Sequence, residues 1–173
     1  AVNVLAVEAV RQHPDTFCIL GHFDLQSPDR VDIVKHWRQR PGMLGFRFTF
    51  NQPHQQSWWT DGSLDWFWAA CEHEGLPIGT LPGGHMADLG KIAERHPGLK
   101  LHIDHHGRGG GGSAGTDDAA FANLGEMLAL ARYPNVAVKL SGAPSYSSQP
   151  YPYRNIHQYI RQIFEAFGPQ RCF

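Results

Sequence analysis

Residues 99–108, "LKLHIDHHGR", place three histidines, an aspartate and an arginine at the end of a short β-type run. Imidazole and carboxylate groups move protons near neutral pH, polarise carbonyls and bind zinc. Strand alternation limits what these groups can do together. His105 shares a face with Leu101 and Ile103, whereas His102 and Asp104 point to the other face. One or two of His102, Asp104, His105 and His106 could be metal ligands, but not all four. The functional role is assigned to His105, and His102 is read as a core histidine.

Other polar groups occupy comparable positions. Arg47 interrupts the apolar run "MLGFRFTF", where a guanidinium is costly unless it is paired or faces a wet site. Lys139 and Ser141 close "NVAVKLSG", and His85 lies in the loop after "LPIGTL". "GRGGGG" fits G-x-G-x-x-G at Gly107, Gly109 and Gly112. However, the next strand ends in Lys139 and Ser141 rather than in an acid that could hold a ribose hydroxyl. No Lys-Ser/Thr pair follows the glycines, so neither a dinucleotide fingerprint nor a P-loop is assigned, and the run is read as a surface loop.

These groups depend on the elements around them for position. The first ten residues read as helix, which ends at "HPD" because Pro14 pushes His13 toward extended geometry. "TFCILGHF", residues 16–23, is an apolar run without clean alternation, as expected of a strand covered on both faces. Ser27, Pro28 and Asp29 form a helix start. Further helices are predicted over residues 63–74, after His85 as far as Gly98, over 117–132 and over 155–167, each with one apolar face. The loop 51–62, with Trp58 and Trp59, exceeds the usual connection of about 4–6 residues and reads as a lid or pocket wall.

Strand starts recur about every 30 residues with a helix between each pair, which is the rhythm of a parallel sheet. Polar groups follow the ends of at least three strands. That distribution favours an eight-fold barrel over a doubly wound sheet. The predicted fold is α/β: an incomplete TIM (β/α)8 barrel with about five to six parallel strands. It forms a single partial barrel domain over residues 1–173. The helical start at Ala1 and the strand-like ending "RCF" lead to the expectation that the first strands and most of the last strand are lacking.

With 173 residues, 42% hydrophobic and 12% aromatic, the chain can bury one substantial core. A net charge of -1 without any Lys/Arg run argues against nucleic acid and anionic membrane as partners. No apolar run approaches the roughly 18 residues of a membrane span, and no signal-like start is present. Cys18, Cys71 and Cys172 form no C-x-x-C pair and read as free thiols in a reducing compartment. A cytoplasmic protein acting on a small, anionic substrate is expected, with homo-oligomer formation possible through exposed sheet edges.

"GHFDL", "PGMLGFRFTF", "DGSLDWFWAACEHEGLPI", "IAERHPGLKLHIDHHGR", "NVAVKLSG" and "AFGPQRCF" together resemble the amidohydrolase-2 family of TIM-barrel hydrolases. The likeness is to its lactonase branch, typified by 2-pyrone-4,6-dicarboxylate lactonase and the sugar lactonases. It implies that His105, in the D-H-x-G motif, binds or polarises the substrate carbonyl. It further implies that Arg47 and Arg108 bind substrate carboxylates. It places Lys139 and Ser141 at the strand end expected to complete the pocket floor, and His85 is expected as a further substrate-binding residue.

The family's H-x-H pair on the first strand is absent, and its catalytic aspartate would lie just past Phe173. Where metal-binding members place a histidine after the strand corresponding to "LPIGTL", this chain has Thr80, Leu81 and Pro82. The expectation is therefore a lactone hydrolase without cofactor, the alternative being a single divalent zinc or manganese ion in the full-length protein. Two rival functions remain: a metal-dependent amidase or decarboxylase on the same barrel, and a non-catalytic barrel fragment. Taken alone, the 173-residue chain is expected to be inactive.

Overall fold

In the computed structural model, which describes residues 3–108 and 115–173, the short apolar runs become five parallel strands. They are β1 (Ile19–Gly21), β2 (Met43–Phe48), β3 (Ile78–Thr80), β4 (Leu101–Ile103) and β5 (Val136–Val138), paired in sequence order. The helices are α1 (Val4–Gln12), α2 (Arg30–Lys35), α3 (Asp65–His73), α4 (Met86–Arg95), α5 (Asp117–Ala120), α6 (Leu124–Ala129) and α7 (His157–Phe167). After α7 the chain returns to the sheet. Val138 N–H donates to Arg171 O at 2.7 Å, Leu140 N–H donates to Phe173 O at 2.7 Å, and Cys172 bridges Val138 in parallel. This is the start of a sixth strand, in the unbroken βα succession of a TIM barrel seen as an open sheet.

The strand register sorts side chains between two faces. Phe46, Ile78, Leu101 and Val136 align across β2 to β5, all of them buried. With Phe67, Trp68, Cys71, Leu89, Ile92 and Ile163 they belong to one apolar core. The adjacent row is Arg47, Gly79, His102 and Ala137. Because successive side chains alternate, this row lies on the opposite face, the one that becomes the lumen when such a sheet closes.

Several helices are shorter than their sequence patterns. The second begins at Arg30, after Ser27, Pro28 and Asp29, and the last begins at His157 after a 3₁₀ turn at Arg154–Ile156. The predicted helix over 117–132 is broken between Ala120 and Leu124. Arg108 Nη1 occupies the Ala120 carbonyl, and Leu124 N–H donates to Phe121 O at 3.0 Å instead of continuing the α ladder. The loop over 51–62 contains a 3₁₀ run, Pro53–Trp59, capped by reciprocal Gln52 and Gln55 bonds. Gly109 and Gly112 of the glycine motif lie outside the described residues. Among the described residues, no helix is long and apolar enough to cross a membrane.

Candidate active site

On the lumen face, a charged cluster is built on three strands. Arg47 emerges from β2, His102 from β4, and Asp104 and Lys139 from one step beyond β4 and β5. Arg47 Nε donates to Asp104 Oδ2 at 2.5 Å. His102 Nε2 stands 3.6 Å and Lys139 Nζ 3.9 Å from Asp104 Oδ1, both too long for close hydrogen bonds. The Asp104 side chain is fully buried, whereas those of Arg47 and Lys139 are each 39% exposed. One carboxylate thus faces two permanent cations whose outer ends stay wet.

Burial alone raises the Asp104 pKa. Against it act the His102 contact and the Arg47 charge, which together hold the carboxyl below its ordinary range. An ionised carboxylate so engaged is a fixed counter-ion and a weak proton acceptor. Arg47 opens into a cavity of about 410 Å³ at the ends of β1 and β2. His22, Thr49, Asn51, Gln52 and Gln55 supply polar groups to its wall. His22 escaped the sequence reading, although it carries the signal that exposed Arg47: a polar group at the end of an apolar strand.

Beyond Ile103 the chain leaves strand geometry in a tight turn, Asp104–Gly107. His105, His106 and Gly107 all have left-handed backbones, with φ of 49°, 57° and 71°. For a histidine this conformation costs about 1–2 kcal/mol, so surrounding contacts have to hold it. Lys139 N–H donates to Ile103 O at 2.8 Å, and the Tyr146 hydroxyl reaches the carbonyls of both His105 and Arg108. The expected sharing of a face by His105 with Leu101 and Ile103 does not hold, because strand alternation ends at this turn. His105 Nδ1 instead meets Ser141 Oγ at 2.9 Å, three residues beyond β5.

The structure thus brings Arg47 and Lys139 together with Asp104 and His102, and it joins His105 to Ser141. His102, expected in the core, is buried on the lumen face. Arg108 and His85 lie elsewhere. Arg108 is 6% exposed, with its guanidinium 4.6 Å from the Phe121 ring centre and Nη1 bonded to Ala120 O and Asn123 Oδ1. It faces helices rather than lumen because the left-handed turn carries it past the sheet. His85 stacks on Trp59, and its two ring nitrogens meet Asp88 Oδ2 and Gln56 Oε1, each at 3.1 Å. It ties the tryptophan loop to α4.

Among the described residues, no three His, Cys, Asp or Glu side chains gather as a metal set. On the lumen face, the pair His102 and Asp104 does not fit a divalent ion. Asp104 Oδ2 is taken by Arg47, and Lys139 stands beside Oδ1, so an added cation would meet two fixed positive charges.

Comparisons with known proteins set this geometry in context. The sequence pattern of the amidohydrolase family Amidohydro_2 matches residues 1–173. The L-fucono-1,5-lactonase of Burkholderia ambifaria is 27% identical over 154 residues, which make up 88% of this chain and 52% of that protein. A crystal structure of a Burkholderia multivorans amidohydrolase with bound HEPES superposes with a TM-score of 0.80 at 23% identity, covering 98% of this chain and 62% of that one. A second crystal form of it contains zinc. A structure of a probable 2-pyrone-4,6-dicarboxylic acid hydrolase from Acinetobacter baumannii, with citric acid bound, gives 0.69 at 16% identity, over 99% of this chain and 61% of that one. These likenesses establish the fold, and the chain spans about half the length of the curated relative it matches.

Proposed function

The chain belongs to the amidohydrolase family, and from that premise we propose that the whole protein hydrolyses small lactones carrying a carboxylate. The observation that carries this reading is the lumen cluster, in which two part-exposed cations share one buried carboxylate and one of them, Arg47, lines the cavity. The lactonase name of the Burkholderia ambifaria relative and the dicarboxylic acid hydrolase name of the Acinetobacter structure support it. In this reading Arg47 and Lys139 bind the substrate's carboxylate, and Arg47 does so through its terminal nitrogens because Nε is committed to Asp104.

His105, held at Nδ1 by Ser141, offers Nε2 to the lactone carbonyl and stabilises the oxyanion that forms as water attacks. The Ser141 hydroxyl, able to donate to or accept from Nδ1, holds the ring in place with Nε2 free among the described residues. Activation of the attacking water falls to a group outside the cluster, because Asp104 is occupied as a counter-ion. The three free cysteines support a cytoplasmic placement. The test is lactone hydrolysis by the full-length protein and its His105→Ala variant. Turnover is expected to fall about a hundredfold in the variant, the usual cost of losing one oxyanion donor. Unchanged turnover would remove His105 from the site.

A further inference from the structure

Gly79 stands between Arg47 and His102 in the lumen row, and the His102 ring fills the space of its missing side chain. A Cβ at Gly79 would lie 2.2 Å from His102 Nε2 and 2.4 Å from Cε1, well inside van der Waals contact. Its φ is not in the left-handed region, so the need for glycine here is one of space rather than backbone freedom. His102 therefore lies flat across β3 with Nε2 toward Asp104, while Phe173 closes its other side edge-on at 5.5 Å.

Asp104 gives this arrangement its consequence. Oδ2 holds Arg47 Nε, but Oδ1 is buried with no hydrogen-bond partner among the described residues. An unsatisfied buried acceptor is costly, and among the described residues His102 Nε2 and Lys139 Nζ stand next to it. Displacing His102 would free the carboxylate to rotate toward Lys139 and loosen its hold on Arg47.

We propose that Gly79 and His102 are positioning residues for the substrate's carboxylate. Gly79 gives His102 room to face Asp104, His102 keeps Asp104 turned to Arg47 Nε, and the terminal nitrogens of Arg47 are thereby aimed at the cavity mouth. The inference rests on the reading of Arg47 as the anion-binding group. Neither residue touches the reacting carbonyl, so their effect falls on the binding of carboxylated substrates and not on the chemical step.

The test uses the full-length protein with Gly79→Ala, His102→Leu and His102→Gln, assayed on a matched pair of carboxylated and neutral lactones. Gly79→Ala and His102→Leu are expected to raise KM about tenfold for the carboxylated lactone only, leaving kcat unchanged. His102→Gln, which returns an N–H donor, should recover most of the loss. The double variant Gly79→Ala with His102→Leu should be no worse than His102→Leu alone, because both act through one contact.

Equal shifts on both lactones, unchanged KM, or identical behaviour of the Leu and Gln variants would overturn the proposal. Should Gly79→Ala fail to fold, the His102 pair decides. Arg47→Met, run alongside, separates two failures. An unaltered lactone preference in that variant removes the substrate reading itself. An altered preference there, with unaltered Gly79→Ala and His102→Leu, removes only the role of Gly79 and His102.

Discussion

Arg47 and Arg108 flank the same sheet and are accommodated in opposite ways. Arg47 meets a buried carboxylate on the lumen face and keeps its outer end in solvent. Arg108 is buried against an aromatic ring, a backbone carbonyl and an amide, with no carboxylate partner among the described residues. Burial pulls the Arg108 pKa below its ordinary value, and the nearby Tyr146 partly offsets this. A guanidinium near a site is functional or structural according to whether its remaining nitrogens face the cavity or the packed interior. Arg108 Nη1 holds the pieces of the broken helix while its Nε is buried without a hydrogen-bond partner among the described residues, whereas Arg47 commits Nε to Asp104 and keeps its outer end toward the cavity.

The largest effect expected from breaking this comparison falls on Arg108. Arg108→Met strips the Ala120 carbonyl and the Asn123 amide of their charged donor, and should lower stability by about 3 kcal/mol in urea unfolding. The carboxylated-to-neutral lactone preference should stay unchanged. A selective loss on carboxylated lactones would return Arg108 to the site.

A smaller effect concerns His106, whose two ring nitrogens are buried without partners among the described residues. Burial, then the Arg108 charge, then His105, lower its pKa from 6.5 to about 4. The folded chain therefore keeps the ring neutral while the unfolded chain takes up a proton, so stability falls as pH drops from 6.5 toward about 4. Between pH 7 and pH 5 the loss should be about 2 kcal/mol. Thermal melts of His106→Phe should show that limb flattened. An unchanged pH profile would show that His106 is not held neutral by the fold. Asp104, whose pKa is lowered, contributes stability that is lost only further into acid, as pH falls below the usual carboxylate range.

What could be read from the sequence follows the same division. Period-two alternation puts His102 and Asp104 on one side of their strand, and the register adds Arg47 to that face, with Lys139 two residues on from Ala137 in the same row. Alternation fails at His105 because left-handed histidines carry no sequence signature of the kind glycine gives. The break after Ala120 was equally hidden. Its apolar spacing is continuous, and only a distant guanidinium taking the Ala120 carbonyl interrupts it. His102 was read as core because a row position cannot reveal that its neighbour, Gly79, leaves room for an imidazole.

In the proposed reading, the lumen cluster selects a carboxylated substrate through Arg47. Its most direct measurement is the ratio of kcat/KM for a carboxylated lactone to that for its neutral counterpart, in the full-length protein and in Arg47→Met. The ratio should drop about tenfold in the variant, through KM for the carboxylated lactone, with kcat on the neutral one retained. An equal loss on both lactones, or an unchanged ratio, would contradict it.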